Sequence, residues 1–223
     1  MENKEVVDAF NKASTDYDKY RKQAIPNMDI YYNTVVNLTK NFSDPKILDL
    51  GAGTGILTEL LYKQHPNSNI TLVDLSTEML NIAKNKFNDK NFKYIEADYL
   101  THDFDKDYDI IVSSLSIHHL TDEEKKVLYK RIYNFLRTGG VFINADQVCG
   151  ATEYTEEIYK KEDASHLNRQ NIPEKEKDIL RQRRLLDKPA KLLDTIQWYE
   201  DIGYKNVDVY YKYYRYFVIA GEK

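Results

Sequence analysis

An open α/β fold, with strands alternating with helices around a nucleotide-type pocket, is what this sequence predicts. Three observations predict it. Lys46 to Leu50 is a short apolar strand that runs straight into Gly51-Ala52-Gly53-Thr54-Gly55. Ile56-Leu57-Thr58-Glu59-Leu60-Leu61 then opens an amphipathic helix, so strand, glycine loop and helix start make one βα unit. A second strand, Asn69 to Val73, ends in Asp74, about twenty positions after the loop, the offset at which an acid reaches a ribose hydroxyl pair.

Three glycines at alternate positions make a tight loop able to expose its backbone N–H groups. The carboxylate of Asp74 suits a cis-diol and repels a 2′-phosphate, so the pocket is expected to take an adenosine ribose with free hydroxyls.

The elements follow in order. Residues 5 to 42 read as helices, with Val6, Phe10 and Ala13 on one face and Met28, Tyr31, Tyr32, Val35 and Phe42 on a second stripe. Helix 56 to 65 presents Leu57, Leu60 and Leu61 to the sheet and stops at Pro66. Ser76 is a good N-cap for a helix through about Phe87, with Met79, Leu80 and Ala83 buried. Strand 92 to 96 leads into Ala97-Asp98-Tyr99. Strand 108 to 113 is an apolar run of the kind found at the centre of a parallel sheet.

Thr121 with Glu124 is a capping box for a helix through Arg137, with Val127, Leu128, Ile132 and Phe135 buried and Gly139-Gly140 at its end. Strand 141 to 145 follows. Residues 147 to 189 break the rhythm; they are polar, helical in tendency and too long for a plain connection. Arg181-Gln182-Arg183-Arg184 is the most basic spot and reads as a solvated helix face. Lys191 to Ile202 is an amphipathic helix carrying Leu192, Leu193, Ile196 and Trp198-Tyr199, stopped at Gly203. Two strands close the chain, with a turn near Lys212-Tyr213.

A length of 223 residues suits one domain with room for a lid. The net charge of −4 gives no reason to expect a broad nucleic-acid surface, and leaves a local basic patch open. One cysteine, Cys149, allows no intramolecular disulfide and suits a reducing cytoplasm. No run is long and apolar enough to span a membrane, and the polar start carries no signal peptide. The nineteen tyrosines are expected to be largely half-buried, ring packed and hydroxyl wet.

Ile117-His118-His119-Leu120 follows the strand at 108 to 113. Adjacent histidines point in different directions in most backbone conformations, and no cysteine or acid joins them at ligand spacing. No metal is expected: one histidine packs or caps and the other is exposed. The alternative is that one of them lines the substrate side.

Asp49-x-Gly51-x-Gly53-x-Gly55 resembles the first motif of class I S-adenosylmethionine-dependent methyltransferases, and departs by one position from the dinucleotide fingerprint Gly-x-Gly-x-x-Gly. Four further blocks match that family in order: Val73-Asp74-Leu75-Ser76-Thr77-Glu78-Met79-Leu80, Glu96-Ala97-Asp98-Tyr99, Tyr108-Asp109-Ile110-Ile111-Val112-Ser113-Ser114, and Leu136-Arg137-Thr138-Gly139-Gly140. The resemblance covers roughly residues 45 to 146.

It implies a Rossmann-like class I methyltransferase fold, a mostly parallel seven-stranded sheet with an antiparallel C-terminal strand and helices on both faces. It implies one domain over 1–223, with a helical cap at 1–42 and a helical lid at 147–189. The cofactor implied is S-adenosylmethionine, with S-adenosylhomocysteine as product. The glycine loop at Gly51 and Gly53 would contact its methionine part, with Asp49 holding the loop. Asp74, with Leu75 beside it, would take the ribose, and Asp98 with Tyr99 the adenine. Met79 would touch the adenine, its alternative being core packing. Ser113 or Ser114 would lie near the sulfur. Tyr17 and Arg21 would meet the carboxylate, their alternative being a solvated helix face.

The implied activity is methyl transfer to a small-molecule acceptor, with tRNA kept open as a partner and no catalytic base assignable. Two alternatives are a related transferase that carboxylates the cofactor's methyl group and a non-catalytic cofactor-binding module. Neither the acceptor nor the oligomeric state is legible.

Overall fold

The computed structural model describes residues 17–223. Its elements, in chain order, are α1 Tyr17–Ala24, α2 Met28–Leu38, β1 Lys46–Leu50, α3 Ile56–Gln64, β2 Asn69–Asp74, α4 Thr77–Lys86, β3 Lys93–Glu96, β4 Tyr108–Ser114, a 3₁₀ turn Ile117–His119, α5 Asp122–Phe135, β5 Leu136–Gln147, α6 Glu153–Arg169, α7 Glu174–Arg184, α8 Leu192–Ile202, β6 Lys205–Tyr213 and β7 Tyr216–Glu222. The expected helical face at Val6, Phe10 and Ala13 lies outside the described residues.

The strands form one seven-stranded sheet in the order β3-β2-β1-β4-β5-β7-β6. β1 pairs in parallel with β2 on one side and with β4 on the other, so the strand order reverses between β1 and β4. A crevice opens outside the carboxyl ends of strands at such a reversal. β7 runs antiparallel to both β5 and β6.

Alternation along the strands gives the sheet two cores. Ile47, Ile70, Ile110, Val112 and Ile143 pack with Tyr31 and Val35 of α2, Leu57 and Leu61 of α3, and Leu80 and Ala83 of α4. Leu48, Leu50, Val73, Ile111 and Phe142 pack with Leu128, Ile132 and Phe135 of α5 and Tyr199 of α8. Neighbouring strand residues point to opposite faces, so an all-apolar strand must be covered on both sides.

The caps are local and as expected. The Ser76 hydroxyl accepts from the Met79 amide, Thr121 and Glu124 form a complete capping box, and Gly203 ends α8 in the left-handed region. Three boundaries differ from expectation. Helix α5 ends at Phe135, not Arg137, because Leu136 is already extended and pairs with Tyr108. Gly139-Gly140 therefore lies inside β5, where the register shifts against β4. A Cβ on Gly140 would sit 2.8 Å from the Tyr108 carbonyl oxygen, so the bulge admits only glycine there. The closing turn falls at Tyr214-Arg215, with Tyr214 left-handed at φ 47°. Val127 and Leu193, expected inside, are 55% and 74% exposed, because the buried stripes pass through Leu128 and Thr195 instead.

The segment after β5 supplies α6 and α7, and it packs on α1. Leu167 and Ile172 bury against Ala24, with Tyr20 and Leu180 at the edge, and the His166 ring hydrogen-bonds the Gln23 carbonyl at 2.8 Å. Its other anchor is electrostatic. Buried Asp163 meets the Arg215 guanidinium at 2.5 Å and Arg184 at 3.7 Å, tying α6 and α7 to the β6–β7 turn. Among the described residues no helix is long and apolar enough to cross a membrane.

Candidate functional site

The carboxyl ends of β1, β2 and β4 surround a cavity of about 970 Å³, measured out to its mouth. The glycine loop forms its floor. Gly51, Gly53 and Gly55 all have positive φ, at 70°, 56° and 76°. At Gly51 a side chain has no room: a Cβ would lie 2.1 Å from the Ser116 hydroxyl. At Gly53 a Cβ would meet nothing within 4 Å, so this glycine opens onto the cavity and lets a ligand approach the backbone.

The expected display of loop amides is not what the structure has. Gly51 and Ala52 both donate to the Val73 carbonyl, at 2.8 and 2.9 Å, and Gly55 donates to Ala52 at 2.9 Å. The Gly53 amide donates to Asp74 Oδ2 at 2.8 Å. The loop spends these donors on its own shape, and its contribution to a ligand is close approach.

Asp49, Asp74, Leu75, Met79, Asp98 and Tyr99 all line the cavity. Asp49 is buried beneath the loop and accepts the Thr58 hydroxyl at 2.5 Å. Burial pushes its pKa up to about 7 against that hydrogen bond, and the nearby Asp74 adds to the rise. Asp74 also takes the Ser76 amide on Oδ1 at 2.9 Å. Burial raises its pKa, and the amides that it accepts hold the rise down. Asp98 Oδ1 accepts the Leu100 amide at 2.8 Å, so this acid caps its own turn and faces the cavity as well. Tyr99 bonds the Ser116 hydroxyl at 3.1 Å. Met79 is 2% exposed, so packing and cavity lining are both true of it.

Ser113 is corrected. It does not line the cavity; its hydroxyl donates to the Leu50 carbonyl at 2.8 Å and stitches β4 to β1. Its neighbour Ser114 is at the wall and donates to the Tyr32 hydroxyl at 2.9 Å. Alternation along β4 decides this: one residue's difference in register turns a side chain to the other face. Arg21 lines the cavity from α1. Tyr17 is the first residue of α1, and its side chain lies outside the described residues.

A second chamber of about 540 Å³ adjoins the first and shares Arg21, Leu115 and His119 with it. Arg183, Arg184, His118, Asp187 and Gln147 are among the rest of its lining, so the basic run on α7 faces inward in part. Leu115, at the shared wall, has φ 50°, a strained conformation for leucine.

The histidine pair departs most from expectation. Neither side chain is solvated: His118 is 4% and His119 11% exposed. The 3₁₀ turn brings their rings to 4.2 Å between centroids. An acid does join them, Asp187, which is distant in sequence. Its Oδ1 lies 3.3 Å from His118 Nε2 and 3.5 Å from His119 Nδ1. On the far side of His118, Nδ1 meets Asp146 Oδ1 at 2.5 Å, and the His118 amide donates to Asp146 Oδ2 at 3.0 Å. Burial disfavours a charged His118, but Asp146 and Asp187 outweigh it and push its pKa up to about 10. Burial and the His118 charge push His119 down to about 3. Tyr32, read from the sequence as part of a helical stripe, and Leu115, which follows the carboxyl end of β4, are further wall residues. Periodicity alone assigns neither to the cavity, because its wall is assembled from several elements.

Seven strands in this order, with a glycine loop at the reversal and an acid closing each of the next two strands, define a class I, Rossmann-like methyltransferase architecture. Comparison with known proteins agrees. A family model described as a methyltransferase domain matches residues 47–140. The chain is similar to malonyl-[acyl-carrier protein] O-methyltransferase 1 of Ilyobacter polytropus, 31% identical over 144 residues, 63% of this chain and 51% of that protein. It is similar to an uncharacterized methyltransferase of Bacillus mycoides, 34% identical over 118 residues, 53% of this chain and 54% of that protein. The chain thus spans about half the length of the curated relatives it matches.

Among solved structures, magnesium protoporphyrin IX methyltransferase from Synechocystis with bound S-adenosylhomocysteine superposes with a TM-score of 0.67 at 15% identity, over 99% of both chains. Phosphoethanolamine N-methyltransferase 2 of Haemonchus contortus superposes with a TM-score of 0.66 at 18% identity, over 92% of this chain and 46% of that one. The chain thus carries a methyltransferase-domain match over residues 47–140 and shares the fold of these solved methyltransferases.

Proposed function

We propose that this protein binds S-adenosylmethionine in the larger cavity and transfers its methyl group to a small molecule held in the adjoining chamber. The observation that carries the reading is the convergence of Gly53, Asp74 and Asp98 on one cavity at the β1–β4 reversal. Those residues fit the cofactor. Asp74 offers acceptor oxygens for a ribose diol, Asp98 offers one for an adenine amino group, and the bare Gly53 backbone leaves space for a chain to pass. Met79 and Leu75 supply apolar wall, and Arg21 a cation for a carboxylate.

When bound, S-adenosylmethionine supplies an activated methyl whose transfer needs only an in-line nucleophile. The protein's part is to orient that nucleophile and keep water out. Arg21 of α1 lines both chambers and Arg183 and Arg184 of α7 line the smaller one, and the two segments are packed on each other rather than set on opposite sides. We take α1 and the α6–α7 segment as one lid of a single domain.

Calorimetry should detect S-adenosylmethionine and S-adenosylhomocysteine and find negligible NAD binding. A panel of acceptors with methyl-labelled cofactor should then yield S-adenosylhomocysteine and a labelled product. Preference for NAD would end the reading.

A second reading draws on one observation. Arg21, Arg183 and Arg184 all line the smaller chamber, which suits an anionic co-substrate. A transferase that modifies the cofactor's methyl group with such an anion would use the same arrangement. Mass spectrometry separates the two: a nucleoside product heavier than the cofactor supports the second, S-adenosylhomocysteine the first.

A further inference from the structure

We propose that His118, His119 and Asp187 form a binding site for one divalent transition-metal ion, with zinc as the reference ion, at the wall between the two chambers. Imidazole and carboxylate are donors that zinc takes, and three protein ligands with an open position are the pattern of a reactive rather than a structural site. The ligand atoms His118 Nε2, His119 Nδ1 and one carboxylate oxygen of Asp187 all lie within 4.8 Å of one another. The two distances from Asp187 Oδ1, 3.3 and 3.5 Å, are the edges of a tetrahedron around an ion with bonds of about 2.1 Å. The three donors come from two separate segments and are all largely buried.

A second, independent feature points the same way. A ligating histidine characteristically gives its other ring nitrogen to a carboxylate, which fixes the ring's tautomer and direction. His118 does this: Asp146 grips Nδ1 at 2.5 Å and leaves Nε2 facing Asp187. Asp146 is itself held at the end of β5 by the His118 and Gln147 amides, at 3.0 and 2.8 Å. The Lys188 amide donates to the His118 carbonyl at 2.6 Å, so the segment carrying Asp187 is docked on the turn carrying the histidines. The site is therefore built on the sheet edge and closed by the insertion.

Its position gives it a use. His119 lines both chambers, and His118 and Asp187 line the smaller one. An acceptor oxygen, sulfur or nitrogen that filled the open position would be held beside the larger cavity. Coordination would also lower its pKa and favour the nucleophilic form. The use rests on the methyl-transfer reading above, whereas the site itself does not.

The test uses the full chain, dialysed against chelator and then titrated with zinc against a chromophoric competitor. Bound metal is read by elemental analysis after gel filtration. We expect about one zinc per chain. Asp187→Asn and His119→Ala should each weaken binding at least tenfold, and Asp146→Asn, which touches no ion, by ~10–100-fold. Cobalt substituted for zinc should give the absorption of a tetrahedral site in the wild type, lost in Asp187→Asn. Far-UV circular dichroism and a cooperative thermal melt of the same samples confirm that each variant is folded, and S-adenosylhomocysteine binding by the wild type reports on the methyl-transfer reading separately. Wild-type protein that retains no zinc, or affinity unchanged in Asp187→Asn and His119→Ala, overturns the site.

Discussion

The carboxylate of Asp74 accepts the Gly53 amide at 2.8 Å, so the acid expected at a ribose also clasps the glycine loop. Ser76 holds its other oxygen. Asp74→Ala removes both the clasp and the acceptor. Cofactor affinity should fall by ~1–3 kcal/mol, the range for hydrogen bonds to a charged group, and the melting temperature should fall with it. Asp74→Asn keeps one acceptor and should lose less of each. Calorimetry and thermal melts check this, and equal affinity in wild type and Asp74→Ala would remove Asp74 from the site.

Gly51→Ala tests the loop's geometry. The new methyl would collide with Ser116, 2.1 Å away, and alanine is strained at φ 70°. The left-handed backbone costs ~1–2 kcal/mol before the clash is counted. Adding Ser116→Gly should relieve the clash and leave the backbone strain, recovering part of the lost stability. No recovery in the double variant would mean the strain alone governs.

Asp49 predicts a pH dependence. Its folded pKa is about 7, raised by burial, against ~3.9 for an unfolded aspartate. Between those values the folded state keeps a proton that the unfolded chain has released. This contribution to stability is therefore greatest below the unfolded pKa and declines as pH rises to about 7. Asp49→Asn carries no such charge, so the melting temperature of wild type should fall relative to that of the variant as pH rises across this window. A difference between the two that ignores pH across that window would show that Asp49 ionises normally.

The lid prediction is that α1 and the α6–α7 segment move together. Leu167 is 1% exposed in the small core that they share. Leu167→Ala should speed amide exchange in both segments and leave the buried strands β1 and β4 unchanged. S-adenosylhomocysteine should slow exchange in both segments more than in α5. Arg21→Ala should weaken cofactor binding with little effect on the apo melting temperature. Exchange that ignores the ligand in both segments would make them packing elements only.

Local interactions were legible along the chain. The alternation of β1 and β4, the N-cap at Ser76, the capping box at Thr121 and the left-handed stop at Gly203 each depend on residues within a few positions of one another. So do the glycines that must turn where no side chain fits. The order of βα units then followed, and with it the fold and the cavity-lining acids Asp49, Asp74 and Asp98. The end of α5 was misplaced because Gly139-Gly140 reads locally as a helix stop. Its actual role, a bulge against the Tyr108 carbonyl, is a contact made across strands.

Tertiary structure alone decided the rest. Ser113 and Ser114 are equivalent in composition and adjacent in sequence, and only the pairing of β4 turns one to Leu50 and the other to Tyr32. The sequence by itself determined that a nucleotide-type pocket forms at the reversal of the sheet, because strand alternation and glycine torsions are properties of neighbouring residues. It did not determine what faces that pocket from the other side. Asp187 reaches His118 and His119 only because the insertion folds back over the sheet edge, and distance along the chain carries no trace of that approach.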